Sequence, residues 1–173
     1  MHDKERGLTL LELIISLALA AILVGLAVPS MADFAANQRI TAATNQMIAH
    51  LQYARTQAIT RNQNVVACPT IDQQHCSGNR WDRGWMVFSD ADNNRQPDAV
   101  EDVLRVVQAD HRAVVSSGGR DRVRFQPHGG AYGSNLTLRI CAANHRVAGR
   151  AVIVSNPGRV RMNKRLDPAD CQG

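Results

Sequence analysis

The sequence predicts an α+β protein in which a long N-terminal helix packs on an antiparallel β-sheet domain. Residues 8–28 form an apolar run whose only charged member is Glu12, and at about 1.5 Å per residue this run is long enough to cross a hydrocarbon core of roughly 30 Å. Residues 29–62 show helical periodicity, and residues 63–173 alternate short β-rich segments with turns. Residues 1–7 precede the apolar run as a short leader.

The second half of the helix is predicted to be amphipathic. No Gly or Pro interrupts it after Pro29, so we expect one continuous helix with an apolar stripe against the sheet. His50 and Arg55 are expected to be solvated or to lie at the border between helix and sheet. The predicted stripe consists of Phe34, Ile40, Met47, Ile48, Leu51, Ala54, Ala58 and Ile59.

The remaining residues, about 110 in number, are enough for one globular domain. Apolar and β-branched segments predict strands, and Gly, Asn and Pro clusters between them predict turns. Two of the strands flank a polar connection and form a predicted hairpin. The predicted strands are residues 65–69, 85–89, 103–107, 114–116, 123–125, 136–142 and 151–155.

Glu12 distinguishes this apolar helix from the two simpler alternatives, a cleaved signal peptide and a plain membrane anchor. A carboxylate near the start of a membrane helix costs several kcal/mol unless a partner neutralises it, and residues 28–32 offer only a weak signal-peptidase site. The stretch resembles the class III signal of type IV pilins and pseudopilins. Its leader contains His2, Lys4 and Arg6 and ends in Gly7, and Glu12 is fifth from Leu8.

The resemblance implies that a prepilin peptidase cuts after Gly7 and methylates the amine of Leu8. It also implies that Glu12 pairs with the N-terminal amine of a neighbouring subunit as the helix moves from the inner membrane into a filament. Pro29 lies where such helices carry a kinking proline. The globular domain would first face the periplasm and then belong to a pilus at the cell surface.

A second resemblance narrows the family. Residues 81–88, 90–94 and 101–105 look like the hairpin signature of the GspH/FimT group, which comprises minor pseudopilins of type II secretion and minor pilins of type IV pili. The resemblance extends to about Arg105.

Four cysteines, all beyond the apolar helix, indicate an oxidising compartment. Four cysteines allow three pairings, of which we favour Cys68–Cys76, closing a short loop, and Cys141–Cys171, tying the tail to a strand. A zinc site is disfavoured because the spacings fit no familiar ligand pattern.

The charge distribution is uneven along the chain. Residues 1–104 carry 8 Lys+Arg against 11 Asp+Glu, whereas residues 105–173 carry 12 against 4, so the two parts have charges of −3 and +8. Such asymmetry indicates a polyanionic partner, nucleic acid or an anionic lipid surface. The alternative is a solubilising surface on which Arg stems cover apolar patches.

The strongest candidate site is the basic C-terminal segment. If residues 159–161 are extended, the side chains of Arg159 and Arg161 leave the same face about 7 Å apart and can each bind a phosphate. The sequence from Gly158 to Arg161 also resembles the GRxR motif of DNA-binding FimT-type minor pilins. The alternative is an edge strand whose arginines prevent aggregation. The predicted DNA-binding residues are Gly158, Arg159, Arg161, Lys164, Arg165, Arg146 and Arg150.

Calcium and catalysis are both disfavoured. Acidic and amide residues follow the spacing of a twelve-residue calcium loop, but Arg95 stands where such a loop has Gly, so we prefer a solvated turn. The sequence has no HExxH spacing, no nucleophile elbow and no phosphate loop at residues 129–133, and we expect no enzyme, cofactor or metal. The calcium-loop positions are Asp90, Asp92, Asn94, Asp98 and Glu101.

Together these observations predict a minor pilin of a type IV pilus that binds DNA for natural transformation. The basic tail has no aromatic residue and only Tyr132 is near in sequence, so binding should use phosphates and ignore base sequence. The alternative is a structural minor pseudopilin at the tip of a type II secretion pseudopilus, without DNA binding.

Overall fold

The computed structural model describes residues 9–99, 102–108, 113–143, 147–166 and 168–171. The chain divides into two compact units, one up to Ala35 and one from Ala36 onward. A single helix, α1 (Leu10–Arg61), runs through both.

The first unit consists of the apolar part of α1. Its side chains are exposed almost throughout; Leu10, for example, is 78% exposed. Thr9 caps the helix, because its hydroxyl accepts the backbone N–H of Glu12 at 3.3 Å. Among the described residues α1 is one helix whose apolar part is long and apolar enough, by length and composition, to cross a membrane.

The part of α1 in the second unit buries a stripe at helical spacing, as predicted for Ile40, Met47 and Leu51. The prediction was wrong at two ends of the stripe. Phe34 is 59% exposed because it belongs to the first unit, and Ile59 is 51% exposed because it lies one helical position beyond the buried Ala58. The buried residues of this part of α1 are Ala36, Ile40, Thr44, Met47, His50, Leu51, Ala54 and Ala58.

The second unit continues as strands. In chain order they are β1 (Asn64–Pro69), β2 (Gly84–Asp90), β3 (Val103–Gln108), β4 (Ala113–Ser117), β5 (Val123–Phe125), β6 (Leu136–Ala142), β7 (Gly149–Val154) and β8 (Val160–Leu166). Short 3-10 helices occupy Trp81–Arg83 and Pro168–Cys171. The predicted strands are all present, and β8 is an additional strand in the segment for which the sequence predicted a basic tail.

These strands form two antiparallel four-stranded sheets. The first sheet has the order β3-β2-β1-β5, and the second has the order β4-β6-β7-β8. The predicted hairpin of β2 and β3 is confirmed by their antiparallel pairing. The predicted fold class, a long helix followed by antiparallel β-structure, is therefore confirmed.

The core joins α1 to both sheets. Met47 of α1, Phe125 of the first sheet and Leu138 and Val152 of the second sheet belong to one buried cluster. A separate buried cluster of Val66, Cys68, Met86 and Phe88 covers the other face of the first sheet, which explains why β1 and β2 are buried at nearly every position.

The second sheet has one core face and one outer face. Leu138 and Ile140 of β6 are buried, whereas Thr137 is exposed and Arg139 is half-buried. This alternation is that of a strand with one face on the core. The outer face of the second sheet is where the candidate site lies.

Candidate nucleic-acid interface

The predicted arginine motif lies on the hairpin that joins β7 to β8. The carbonyl of Ser155 accepts the N–H of Gly158 at 2.8 Å. The N–H and the hydroxyl of Ser155 donate to the carbonyl of Arg159 at 3.1 and 3.2 Å. Beyond this turn Ile153 is opposite Arg161. The backbone at Arg159 is therefore fixed by hydrogen bonds from Ser155, and the backbone at Arg161 is fixed by its pairing with β7.

Arg159 and Arg161 are both exposed, and Val160 between them is partly buried. This pattern fits an extended segment in which alternate side chains leave the same face, about 7 Å apart. Within the described part of the chain neither arginine forms an ion pair. Their guanidinium groups are available for an external anion.

Gly158 is held against the body of the domain. Its φ is +76°, and a Cβ there would lie 1.8 Å from the carbonyl oxygen of Gly129. The Nε of Arg55 donates to that same oxygen at 3.0 Å, and the N–H of Ala131 donates to the carbonyl of Asn156 at 2.8 Å. Close packing within the protein accounts for glycine at this position and anchors the hairpin.

The other predicted basic residues are distributed over the same sheet. Arg150 of β7 is half-buried, its Nη1 lies 3.9 Å from the sulfur of Met162, and it is opposite Arg165 of β8. Lys164 precedes Arg165 in β8, and Arg146 lies outside the described residues. The charged residues in the four strands of the second sheet are all cationic: Arg139, Arg150, Arg161, Lys164 and Arg165.

Two further arginines, Arg120 and Arg139, were not predicted as site residues. Both line an open groove of about 790 Å³ on the outer face of the second sheet, which we call the arginine groove. Arg120 Nη1 donates to the carbonyl of Asn135 at 2.7 Å. Among described residues the lining comprises Gly118, Arg120, Asn135, Leu136, Thr137, Arg139, Ile153, Val154, Ser155, Asn156 and Pro157, none of them acidic.

The sequence contained part of the signal for this groove. Thr137 and Arg139 alternate with Leu138 and Ile140, which predicts that Arg139 faces outward. Nothing in the sequence placed Arg120 beside them, because the segment that carries it is distant in sequence from β7.

Disulfides join Cys68 to Cys76 and Cys141 to Cys171, the two pairs that the sequence favoured. The second bond ties the 3-10 helix at Pro168–Cys171 to β6. A Cβ at Gly149 would lie 2.8 Å from the sulfur of Cys171, so the start of β7 packs directly on this bond. The C-terminal end of the basic segment is thereby held against the second sheet.

The turn between β2 and β3 uses its acidic and amide side chains in its own hydrogen bonds. Asp90 accepts the N–H of Arg95 at 3.1 Å, Asp92 accepts the N–H of Asn94 at 3.1 Å, and Asp98 accepts the Asn94 amide at 2.7 Å. Arg95 has φ of +67°. No metal-holding group of three His, Cys, Asp or Glu occurs in the described residues, and Glu101 lies outside them. We therefore interpret this segment as a hydrogen-bonded turn and not as a calcium loop.

At the N-terminus, Gly7 and Leu8 lie outside the described residues. Glu12 is exposed in the first turn of α1, where a carboxylate interacts favourably with the helix dipole. No side-chain partner of Glu12 lies within the described part of the chain. Its predicted pairing with another subunit is untested.

An apolar N-terminal helix joined to a β-domain is the architecture of a pilin-like protein. Residues 2–28 match the prokaryotic N-terminal methylation motif, and residues 43–158 match the family described as type II transport protein GspH. The chain belongs to the GspH family. This membership implies processing by a prepilin peptidase and assembly with other pilin subunits, and the methylation motif with the apolar helix indicates membrane anchoring.

Solved structures show the same fold at low sequence identity. The type IV minor pilin FimU of Pseudomonas aeruginosa (strain PAO1) has a TM-score of 0.60 at 19% identity, covering 76% of this chain and 92% of FimU. The minor pseudopilin EpsH from the type 2 secretion system of Vibrio cholerae has a TM-score of 0.52 at 12% identity, covering 71% of this chain and 94% of EpsH. No curated protein matches the sequence.

Proposed function

We propose that this chain is a minor pilin of a type IV pilus that binds DNA through its basic C-terminal surface during natural transformation. The observation that carries the proposal is the pair Arg159 and Arg161, exposed on a fixed hairpin and without an ion-pair partner among described residues. The second sheet supports it, because the charged residues in its strands are all cationic. Arg146, Arg150, Lys164 and Arg165 are proposed as additional contacts.

The proposed mode of binding is to phosphates. A guanidinium group can donate two hydrogen bonds to phosphate oxygens, and phosphate contacts carry no sequence information. Single-stranded binding commonly adds base stacking on aromatic side chains, and the lining of the arginine groove has none among the described residues. Binding should therefore depend strongly on salt and weakly on sequence. No catalytic step or cofactor is part of the proposal.

The N-terminal segment is proposed to act in membrane insertion and assembly. Prepilin peptidase would cleave after Gly7 and methylate Leu8, which the methylation motif at residues 2–28 supports. Until assembly, α1 would anchor the protein in the inner membrane with the β-domain in the periplasm. Glu12, exposed in α1, would then meet the N-terminal amine of a neighbouring subunit.

The second candidate function is that of a structural minor pseudopilin in a type II secretion system. The description of the GspH family as type II transport proteins favours it, as does the similarity to EpsH. In that case the β-domain would contact neighbouring subunits only, and the basic hairpin would be a strand edge protected by charge.

DNA binding by the full chain in a non-ionic detergent separates the two functions. With four phosphate contacts, log K against log salt should have a slope of about −3.6 on duplex DNA, and the double variant Arg159→Gln/Arg161→Gln should reduce it to about −1.8. The matched control is Arg39→Gln/Arg83→Gln, which removes two exposed arginines from α1 and the first 3-10 helix. Its slope should equal that of the wild type.

Gel shift and fluorescence anisotropy at several salt concentrations give these slopes, and thermal melting checks that both variants fold. If the Arg159/Arg161 variant binds like the control, these two residues are not in the site. If the wild type does not retain DNA at low salt, the proposed DNA binding is wrong and the structural pseudopilin function is favoured.

A further inference from the structure

The arginine groove lies directly beside the hairpin that carries Arg159 and Arg161. Ile153, a lining residue of the groove, is the register partner of Arg161. Ser155, another lining residue, hydrogen-bonds to the carbonyl of Arg159. Groove and hairpin thus form a continuous surface on one face of the second sheet.

The groove is chemically suited to an extended polyanion. Arg120 and Arg139 supply guanidinium groups, and Asn135, Thr137 and Asn156 supply amide and hydroxyl groups. No acidic residue occurs in its described lining. The residues that line the groove come from β6, β7, the turn after β7 and the segment before β5, so it extends over more than one strand of the sheet.

The strand register gives the spacing of the cations. Arg161 is aligned with Ile153 and Thr137, and Arg139 follows Thr137 by two residues. Two strand spacings of about 4.8 Å and two residues of about 3.3 Å place the Cα atoms of Arg139 and Arg161 roughly 12 Å apart. This exceeds the reach of a single phosphate group and corresponds to roughly three to four base-pair rises of about 3.4 Å along the duplex axis.

A second group of arginines is less suitable. Arg122 donates two hydrogen bonds to Asp121, at 2.6 and 3.1 Å, and a third to the carbonyl of Arg95. Arg124 donates to the side chain of Asn93 at 3.3 Å. The charge of Arg122 is thus paired with that of Asp121, whereas Arg139 has no ion-pair partner among the described residues. Arg120, like Arg124, donates only to a neutral asparagine, in its case Asn135.

We propose that the arginine groove is the second half of a single DNA-binding surface. One duplex contacts Arg159 and Arg161 at the hairpin and continues across the outer face of the second sheet to Arg139 and Arg120. The inference rests on the proposed DNA binding and extends it to residues on β6 and on the segment before β5. It gives a role to Arg139, which lies on the outer face of the second sheet and has no ion-pair partner among the described residues.

The first test places a charge in the middle of the groove without disturbing the core. Thr137 is exposed and makes no side-chain hydrogen bond among the described residues, so Thr137→Glu should fold normally, and Thr137→Gln is its uncharged control. With the full chain in non-ionic detergent and a labelled duplex, Thr137→Glu should weaken binding about tenfold at ~0.1 M salt. Thr137→Gln should bind as the wild type does.

The second test counts contacts. Two groove contacts in addition to the four counted above would give the wild type a slope of about −5.4, and Arg120→Gln/Arg139→Gln should return it to about −3.6. Arg120→Lys/Arg139→Lys, which keeps both charges, should retain most of the wild-type slope. Arg39→Gln/Arg83→Gln is the control for lost net charge. Melting temperatures identify any variant that fails to fold. If an arginine variant does not fold, the comparison of Thr137→Glu with Thr137→Gln decides whether the groove binds DNA.

The outcomes separate this inference from the hairpin site. If Arg159→Gln/Arg161→Gln weakens binding but both Thr137→Glu and Arg120→Gln/Arg139→Gln match their controls, the groove is not part of the site and the hairpin is. If the groove variants alone weaken binding, the groove is the site and the hairpin is not. If the wild type does not bind duplex DNA, both proposals are wrong.

Discussion

Gly158 lies so close to Gly129 that a Cβ on Gly158 would be 1.8 Å from the carbonyl oxygen of Gly129. The same oxygen accepts a hydrogen bond from Arg55 of α1. The hairpin that presents Arg159 and Arg161 is therefore fixed to α1 through the loop at Gly129. Rigid placement lowers the entropic cost of binding a ligand.

The first prediction concerns this contact. Gly158→Ala should lower the free energy of unfolding by about 2–4 kcal/mol, because alanine is strained at a φ of +76° and its Cβ has no room. Denaturant unfolding measures the change. The matched control is Gly118→Ala, where a Cβ meets nothing within 4 Å, so the effect should stay within about 0.5 kcal/mol. Equal stability of the two variants would contradict the packing described.

The second prediction concerns the two disulfides. They close loops with sequence separations of 8 and 30 residues. In the chain-entropy account the longer loop gives the larger effect, about 3–4 kcal/mol against about 2–3 kcal/mol. Cys141→Ala/Cys171→Ala should therefore destabilise the protein more than Cys68→Ala/Cys76→Ala. Urea unfolding of both variants under oxidising conditions makes the comparison.

Proteolysis gives an independent measure. The Pro168–Cys171 helix contacts β6, β7 and β8, so without its disulfide the tail should open and trypsin should cut after Lys164 or Arg165. Cys68→Ala/Cys76→Ala should leave these bonds resistant. Free thiols found by mass spectrometry in the oxidised wild type would contradict the two disulfides on which both measurements depend.

Much of the fold was predictable because it depends on local patterns. The continuous helix follows from apolar periodicity without an interrupting Gly or Pro, and the β2–β3 hairpin follows from two apolar segments around a polar turn. Strand β8 was not predicted, because its apolar residues Val160, Met162 and Leu166 are separated by charged and amide residues. Such a composition is typical of an edge strand. Its extended form becomes evident only from pairing with β7.

The division into two sheets was not predictable. β5 returns to pair with β1, whereas β4, which precedes it, pairs with β6 in the other sheet. Such pairings depend on packing over long sequence separations, which local patterns do not encode. For the same reason the sequence identified Arg159 and Arg161, which lie in one segment, but not the groove that brings Arg120 beside Arg139.

The third prediction concerns Asp90, at the end of β2. Its carboxylate is fully buried, and its Oδ2 has no hydrogen-bond partner among the described residues. Burial raises the pKa of Asp90 above its usual value; the hydrogen bond from the Arg95 N–H acts against this, and the charge of Asp92 adds to it. The ionised carboxylate is therefore less favourable in the folded protein than in the unfolded chain.

The direction in which stability changes with pH follows from the number of protons that each state binds. As the pH rises above about 3.9, the unfolded chain releases its Asp90 proton first, so the folded state binds more protons and stability falls until the folded pKa is passed. Asp90→Asn removes this effect. The variant should be more stable than the wild type at pH 7, and the difference should disappear below about pH 3, where Asp90 is protonated in both the folded and the unfolded state. Thermal or urea unfolding between pH 3 and 7 measures it.

Calcium binding at the turn between β2 and β3 would give the opposite result for Asp90. A bound cation would stabilise the ionised Asp90 carboxylate, so millimolar Ca²⁺ would raise the melting temperature of the wild type but not of Asp90→Asn. Because the side chains of Asp92 and Asp98 are used within the turn, we expect the melting temperature to be independent of Ca²⁺. A variant that is less stable at pH 7, together with a Ca²⁺-dependent wild type, would show that the turn is a calcium loop after all.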